Sequence, residues 1–317
     1  MKRPLACCLL ALFATALFSP PSMAAPMHDD SSASGGAKAA PGGQRGWLRE
    51  RLRQRQQGPL ALPAGAISQA GIAYGPAPEQ RLDLYRPADA HDAPAILMVH
   101  GGGWARGDKA ATGVVQNKID YWLPKGYVFV SVDYRVVPDA NPLQQADDIA
   151  MALAYAQQHA AEWGADPARF VLMGHSAGAH LVSLLSAAPD IARRHGAKPW
   201  LGTVALDSAA YDVTTIMQVR HFPLYDRAFG DDRQLWRDAS PTLRLTQAPV
   251  PMLLVCSSRR EDSCRQARGF AARAGELGGK VDVVPIDLRH GVINQQLGEP
   301  GELTRAVEDF LHSLRLP

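Results

Sequence analysis

The sequence predicts an α/β fold: one eight-stranded, mostly parallel sheet with helices on both faces. Short apolar segments alternate along the chain with longer segments of helical periodicity, which is the pattern of parallel strands joined by crossover helices. Glycine-containing turns directly follow two of the predicted buried strands, at residues 100–104 and 174–178. A chain of 317 residues has room for one large domain of this kind or for two smaller ones.

The predicted elements follow one another through residues 66–317. The first two strands, 66–74 and 81–85, are predicted to pair antiparallel at one edge of the sheet. Pro142 opens the clearest helix, because proline is tolerated in a first turn and the apolar residues behind it have helical spacing. Segment 207–250 is aromatic-rich and too long for a plain crossover, so we expect it to form a small lid or pocket wall. The remaining predicted strands are 95–99, 127–132, 170–173, 203–206, 252–255 and 281–286, and the predicted helices are 112–123, 142–163, the segment after 176, 263–277 and 302–314.

The first 24 residues have the features of a secretory signal peptide. Lys2 and Arg3 precede an apolar run, 5–18, and Ser22-Met23-Ala24 is a small-residue cleavage site. The alternative is an uncleaved anchor, but the run is short for a membrane span, which needs about 20 residues. We therefore predict an exported protein, periplasmic or secreted, with no stable span after cleavage.

Residues 25–65 are predicted to be a flexible leader, because their first part is rich in Ser, Gly, Ala and Pro. Within it, segment 47–57 carries four arginines beside apolar residues. This segment is either a short basic helix that touches a membrane surface or a partner, or a solvated arm, and the arm is the favoured interpretation. The net charge of +2 gives no reason to expect a nucleic acid partner.

Two cysteines, Cys256 and Cys264, remain after the predicted signal peptide. An exported chain with two cysteines this close in sequence predicts a disulfide bond between them.

Ser176 lies in a Gly-x-Ser-x-Gly element, residues 174–178, between a predicted strand and a predicted helix. That context predicts a sharp turn that projects the serine hydroxyl from the end of a sheet, where it can act as a nucleophile. The alternative is a glycine-rich turn with no catalytic role.

His100-Gly101-Gly102-Gly103-Trp104 follows a predicted buried strand. Acyl transfer needs hydrogen-bond donors aimed at the oxyanion that forms on the attacked carbonyl. We expect the backbone amides of Gly102, Gly103 and Ala177 to supply them.

A general base is expected on the loop after the last strand, where His290 stands. The orienting acid is expected after the strand 252–255, and Asp262 is preferred over Glu261 there. Asp207 and Asp212, after the preceding strand, remain alternatives. His180 is expected to pack or hydrogen-bond, and His100 to order the glycine loop. The chain shows no cofactor motif and no metal-ligand spacing.

Taken together, these residues resemble the α/β-hydrolase superfamily over about residues 66–317. The motifs His-Gly-Gly-Gly-Trp at 100–104, Asp-Tyr-Arg at 133–135 and Gly-His-Ser-Ala-Gly-Ala-His-Leu at 174–181 are similar to those of small carboxylesterases of the BD-FAE and hormone-sensitive-lipase-like branch. The last motif is also similar to kynurenine formamidases and isoprenylcysteine methylesterases.

The resemblance implies that Ser176 is the nucleophile, His290 the base and Asp262 the acid of an α/β-hydrolase catalytic domain. The acid loop departs from the family because it is longer and more basic, with Arg259 and Arg260. We therefore predict a serine hydrolase, without a cofactor, that cleaves small to medium carboxylic esters through an acyl-enzyme.

Two other functions compete with this prediction. One is another acyl-transfer enzyme with the same site: a formamidase, an amidase or peptidase, or an acyltransferase. The other is a catalytically silent binding protein on the same scaffold. The predicted export argues against formamidase and methylesterase roles, which suit the cell interior.

Overall fold

The computed structural model describes residues 60–317, which form one eight-stranded sheet with helices on both faces. The strands lie in the order β1-β2-β4-β3-β5-β6-β7-β8. Strand β2 is antiparallel to both β1 and β4, and all the other neighbouring pairs are parallel. The predicted fold class is therefore confirmed. The strands are β1 (Ala66–Ala73), β2 (Arg81–Pro87), β3 (Ala93–Val99), β4 (Val128–Val132), β5 (Ala165–His175), β6 (Gly202–Leu206), β7 (Met252–Ser257) and β8 (Val281–Ile286).

The predicted signal peptide 1–24, the basic segment 47–57 and the leader up to residue 59 lie outside the described residues and stay predictions. Residues 60–65 contain no helix or strand. Within residues 60–317, no helix is both long and apolar enough to cross a membrane.

Eleven α-helices connect or follow the strands in the described part of the chain. Helix α2 ends at His159, where a 3₁₀ turn, Ala160–Trp163, continues the helix predicted over 142–163. Helix α9 begins two residues earlier than predicted. Segment 207–250, predicted as a lid or pocket wall, contains the short helices α5 to α8. The helices are α1 (Thr112–Trp122), α2 (Pro142–His159), α3 (Ala177–Ala187), α4 (Asp190–Arg194), α5 (Val213–Met217), α6 (Pro223–Phe229), α7 (Arg233–Asp238), α8 (Pro241–Arg244), α9 (Glu261–Glu276), α10 (His290–Gln296) and α11 (Glu302–Ser313).

The start of α2 shows how local sequence sets a helix boundary. The Asn141 side chain accepts hydrogen bonds from the backbone amides of Leu143 and Gln144, and the Gln144 side chain accepts one from the Asn141 amide. This capping box satisfies donors that have no partner inside the helix. Pro142, just inside the cap, lacks an amide hydrogen that would otherwise need a partner there.

Alternate residues of the central strands enter two separate cores. In β3, Leu97 and Val99 pack on the face covered by α2 and α3, whereas Ile96 and Met98 pack on the face covered by α1 and α11. All four side chains are fully buried. Burial on both faces explains why the strands are continuous apolar runs rather than alternating ones.

The register of the parallel strands places the ends of β5 to β8 at one edge of the sheet. His175 at the end of β5 pairs with Leu206 of β6, Leu206 pairs with Val255 of β7, and Ser257 of β7 pairs with Ile286 of β8. Residues that directly follow these strands therefore lie close together, at the edge where open parallel sheets bind their ligands.

Close backbone contact between β5, α3 and β3 requires glycine at two positions. A Cβ atom on Gly178 would overlap the carbonyl oxygens of Val99 and His100, and one on Gly174 would overlap the carbonyl of Gly178. The helix after Ser176 can therefore lie directly against the neighbouring strand only because these two residues have no side chain.

We expect Gly178→Ala to lower the free energy of unfolding by about 2 kcal/mol or more, because backbone must move to make room. The matched control is Gly269→Ala in α9, where a Cβ meets no atom within 4 Å. That change should raise the free energy of unfolding by up to about 1 kcal/mol through helix propensity. Urea unfolding followed by circular dichroism measures both, and a fully stable Gly178→Ala protein would contradict the close packing.

Candidate active site

Ser176 occupies a strained turn between β5 and α3. Its φ of 56° and ψ of −116° lie in a region that residues with a side chain rarely adopt. The Ser176 amide donates to the Leu206 carbonyl over 2.9 Å, which ties the turn to the end of β6. Strain of this kind persists only where surrounding packing enforces it, and it is concentrated at functional sites. The hydroxyl is thereby held out from the sheet edge, as the sequence motif predicts.

His290 is brought to Ser176 from the far end of the chain. The Ser176 hydroxyl lies 2.9 Å from Nε2 of His290, which is a hydrogen-bonding distance. His290 is the first residue of α10 rather than a loop residue, so the helix fixes its backbone. The two residues are separated by 114 positions in sequence, and the sheet topology joins them.

Asp207, not Asp262, is the carboxylate that contacts His290. Nδ1 of His290 lies 2.6 Å from Oδ2 of Asp207, whose side chain is fully buried. The same carboxylate accepts hydrogen bonds from the Ser257 amide over 2.8 Å, from the Ser263 hydroxyl, and from Nη1 of Arg260 over 2.7 Å. Burial by itself raises the pKa of Asp207. The donors around it outweigh burial and hold that pKa well below its ordinary value.

The preference for Asp262 as the acid is corrected by this geometry. Asp262 lies in the first turn of α9 with 71% of its side chain exposed, and it pairs with Arg265. Glu261 is also exposed. Asp207 was among the alternatives because it directly follows the predicted strand 203–206, and that position was the signal that could have found it.

Three backbone amides remain free beside Ser176. Gly102 and Gly103 both have positive φ, 126° and 61°, and Ala177 is the first residue of α3. Within residues 60–317, the amides of these three residues donate to no backbone acceptor outside the regular elements and to no side chain. Unengaged amides at a helix start and in a glycine loop are suited to bind an oxygen anion. Their role as an oxyanion hole stays a prediction.

The glycine loop is held by histidines that do not contact Ser176 through their rings. His100 Nδ1 donates to the Gly101 carbonyl over 2.7 Å, and Tyr134 donates to the His100 carbonyl over 3.0 Å. His180 accepts from the Trp104 indole over 3.1 Å and donates to the Ala239 carbonyl over 2.7 Å. Burial lowers the pKa of His180 to about 4, so its ring stays neutral. Both histidines thus have the structural roles expected from the sequence.

The comparisons with known proteins agree with the observed fold. The sequence profile of the BD-FAE family matches residues 82–216. Esterase LipC of Mycobacterium tuberculosis is 28% identical over 221 residues, 64% of this chain and 54% of LipC. The crystal structure of esterase B from Lactobacillus Rhamnosis has the same fold, with a TM-score of 0.68 at 21% identity over 86% of this chain and 91% of that chain. The chain thus has the α/β-hydrolase fold, and its residues 82–216 resemble the BD-FAE family.

The chain also resembles a probable isoprenylcysteine alpha-carbonyl methylesterase of Arabidopsis thaliana, with 34% identity over 113 residues. That match covers 35% of this chain and 23% of the plant protein. The chain thus spans about half of the length of LipC and less of the methylesterase.

His175 hydrogen-bonds to the backbone of His290 and packs against its ring. Its Nε2 donates to the His290 carbonyl over 3.0 Å, and the two rings lie 4.6 Å apart. Burial, followed by the nearby His290, lowers the pKa of His175 to about 3. A neutral His175 can therefore hold the first residue of α10 without adding a charge next to the base.

Two side chains of α1 cap the other end of α10. Nζ of Lys118 donates to the Asn294 carbonyl over 2.6 Å, and Asn117 donates to the Gln295 carbonyl. The last carbonyls of a helix have no partner inside it, so N–H donors from neighbouring side chains stabilise that end. Lys118 is 1% exposed. Because α10 begins with His290, these contacts help fix the position of His290. No sequence motif marks Lys118.

The structure pairs Cys256 with Cys264, whose Cα atoms lie 5.1 Å apart. Between them lie Ser257, Arg260 and Ser263, which all donate to Asp207. The predicted loop between the cysteines therefore holds the donors of the acid rather than the acid itself.

A cavity of about 1160 Å³ lies between the insertion 207–250 and the start of α9. Its apolar wall includes Ile216, Val219, Phe222 and Tyr225. Arg260 also lines the cavity, and its guanidinium contacts the Asp207–His290 pair. Within residues 60–317, no group of three or more His, Cys, Asp and Glu side chains is placed to hold a metal ion.

The buried position of Lys118 leads to a prediction about how the free energy of unfolding depends on pH. Burial lowers its pKa from the ordinary lysine value to about 7, so between about pH 7 and 10 the unfolded chain binds one more proton than the folded chain. The free energy of unfolding then rises with pH in that window and falls as pH drops towards 7. We expect Lys118→Met to remove up to about 1.4 kcal/mol per pH unit from that slope.

Urea unfolding between pH 7 and 9.5 measures the two slopes. The matched control is Lys125→Met, because Lys125 is a surface lysine paired with Glu308 and should leave the slope unchanged. If the free energy of unfolding changed with pH by the same slope in the native protein and in Lys118→Met, the prediction would be wrong.

Proposed function

We propose that this chain is a serine carboxylesterase with Ser176 as nucleophile, His290 as base and Asp207 as orienting acid. The observation that carries the proposal is the unbroken hydrogen-bonded series from Ser176 through His290 to Asp207, with distances of 2.9 and 2.6 Å. Support for an ester substrate comes from LipC, which is named an esterase.

Acylation follows from the positions of the three side chains. Nε2 of His290 removes the Ser176 proton as Oγ attacks the ester carbonyl. Asp207 keeps the proton of the imidazole on Nδ1 and stabilises the imidazolium that forms. The carbonyl oxygen becomes an oxyanion, which the amides of Gly102, Gly103 and Ala177 bind.

The later steps use the same groups in reverse. The imidazolium of His290 gives its proton to the leaving alcohol, and the acyl group stays bound to Ser176. His290 then deprotonates a water molecule, which attacks the acyl-enzyme. Collapse of the second tetrahedral intermediate releases the acid and restores the Ser176 hydroxyl. No metal or organic cofactor is needed for any of these steps.

The size of the cavity supports the proposal that the substrates are small to medium esters. Its volume of about 1160 Å³ is comparable to the pockets that hold small organic ligands, and its apolar wall suits a hydrocarbon or aromatic group. Val219 and Phe222 are 63% and 72% exposed, so an apolar group bound against them would cover surface that otherwise faces water.

We also propose that the mature chain begins at Ala25, is exported to the periplasm or beyond, and contains a Cys256–Cys264 disulfide. The signal-like sequence of residues 1–24 supports export, and the proximity of the two cysteines supports the disulfide. Oxidised cysteines are usual in exported proteins and rare in the cytosol.

The triad assignment predicts opposite outcomes for two aspartates. Asp207→Asn should lower kcat for ester hydrolysis by about 10⁴-fold, because the imidazole is no longer held in the productive tautomer. Asp262→Asn, in an exposed residue, should change kcat by less than about 2-fold, since surface changes are usually small. Steady-state hydrolysis of p-nitrophenyl butyrate by the purified variants measures both. A large loss from Asp262→Asn alone would restore the assignment made from the sequence.

The activity itself is tested with p-nitrophenyl acetate, butyrate, octanoate and palmitate, and with the p-nitroanilide of butyrate. We expect turnover that falls for the longest chains, weak or no cleavage of the anilide, and complete loss in Ser176→Ala. Folded protein that hydrolyses none of the esters would contradict the esterase proposal. Faster cleavage of the anilide than of the matching ester would favour an amidase.

Intact-mass measurement of protein exported from an expressing bacterium tests maturation and the disulfide together. The expected mass is that of residues 25–317 less two hydrogens, with no cysteine alkylated until a reductant is added. Alkylation of both cysteines without reduction would exclude the disulfide, and a retained N-terminus would exclude cleavage after Ala24.

A further inference from the structure

Arg260 contacts both members of the Asp207–His290 pair through a single nitrogen. Its Nη1 lies 2.7 Å from Oδ2 of Asp207 and 2.7 Å from Nδ1 of His290. Within the described residues, Nε and Nη2 have no hydrogen-bond partner. One edge of the planar guanidinium is therefore unused, and that edge has the geometry that binds a carboxylate through two hydrogen bonds.

The position of Nη1 matters because Nδ1 of His290 can be a donor or an acceptor. If Nδ1 carries the proton, it donates to Asp207, and Nε2 is free to accept the Ser176 proton. If Arg260 donates to Nδ1 instead, the imidazole proton sits on Nε2, which faces Ser176. In that tautomer His290 cannot act as a base. The positive charge of Arg260 also opposes formation of the imidazolium.

Arg260 lines the cavity beside the triad. Three of the other charged side chains there already have partners, because Arg265 pairs with Asp262 and the Asp212 carboxylate caps the Thr215 amide. Arg220 and Glu261 are exposed residues of the same lining. Of the charged residues that line the cavity, Arg260 is the one that contacts the triad.

We propose that Arg260 is a specificity-determining residue that binds a carboxylate carried by the ester substrate. The bound carboxylate occupies the Nε–Nη2 edge, draws the guanidinium away from Nδ1 of His290 and offsets its charge while the imidazolium forms. Substrates of this class are esters with an anionic group within reach of the cavity. Neutral esters leave Arg260 in exchange between Asp207 and Nδ1 of His290, so they are cleaved more slowly but still turn over. The inference rests on the proposed esterase activity and names its substrate class.

The kinetic test compares matched anionic and neutral esters. One pair, mono-p-nitrophenyl glutarate and p-nitrophenyl valerate, carries the charge on the acyl group. The other, 4-acetoxybenzoate and phenyl acetate, carries it on the alcohol. For at least one pair we expect Arg260→Met to lower the anionic-to-neutral ratio of kcat/KM by about 10-fold or more, as for loss of a charged hydrogen bond. Dividing the ratio of the variant by the ratio of the native protein removes differences in intrinsic reactivity between the two esters of a pair.

Arg259→Met is the matched control. Arg259 is the preceding residue, with the same charge, but its side chain pairs with Asp287 on the surface. We expect its ratios to equal those of the native protein. Arg260→Lys keeps a positive charge without the planar fork, so it should retain part of the preference. Thermal unfolding of each variant checks that the fold is intact.

Binding of glutarate to Ser176→Ala, measured by calorimetry, separates this inference from the esterase proposal. We expect glutarate to bind more tightly than valerate, and Arg260→Met to remove the difference. Unchanged ester ratios in both pairs, or glutarate binding that does not depend on Arg260, would overturn the inference and leave the esterase intact. Absence of Ser176-dependent ester turnover together with Arg260-dependent glutarate binding would overturn the esterase and keep the anion site.

Discussion

The hydrogen bond between His290 and the buried carboxylate of Asp207 is the interaction on which the rest of the site depends. An ionised carboxylate with no exposed surface is very costly unless donors surround it. Here Ser257, Ser263 and Arg260 supply those donors. Ser257 ends β7, Arg260 lies in the turn after it, and Ser263 lies in the first turn of α9. The order of the sheet makes this possible, because β6, which ends one residue before Asp207, lies between β5, which leads to Ser176, and β7, which ends at Ser257.

Backbone strain is concentrated around the same interaction. Trp104, Ser176 and Asp207 all have positive φ, a conformation that costs on the order of 1–3 kcal/mol for a residue with a side chain. Each is held by contacts outside its own turn: the Trp104 indole bonds to His180, and the Ser176 and Asp207 amides bond to the carbonyls of Leu206 and Val255. Packing of the two cores thus maintains the geometry that the triad needs.

The sequence was sufficient for the fold class, and it also predicted that Ser176 and His290 would lie together. Short apolar runs separated by segments of helical periodicity predict a parallel sheet. A serine between glycines at a strand–helix turn is recognisable from the neighbouring residues. The acid leaves a weaker signal, because its position directly after a strand does not separate it from other aspartates at the same sheet edge. Asp207 and Asp262 both follow strands that end at the same sheet edge, and the choice depends on which side chain points to His290. That direction is set by burial and by the donors of Ser257 and Ser263, which are long-range contacts. Lys118 is hidden for a similar reason, since its partner lies 176 positions away.

The basic loop after β7 has a physical explanation in this arrangement. With the carboxylate supplied by Asp207 at the end of β6, a second acid aimed at His290 from the β7 loop would place two like charges at one imidazole. Donors and a cation there instead stabilise the buried anion, and the Cys256–Cys264 pair encloses them. The positive charge of Arg260 has a second consequence. It stabilises the Asp207 carboxylate, but it also repels the imidazolium that forms on His290. A site built in this way works best when a group of opposite charge arrives with the substrate, so the same residue can serve both the resting structure and the choice of substrate.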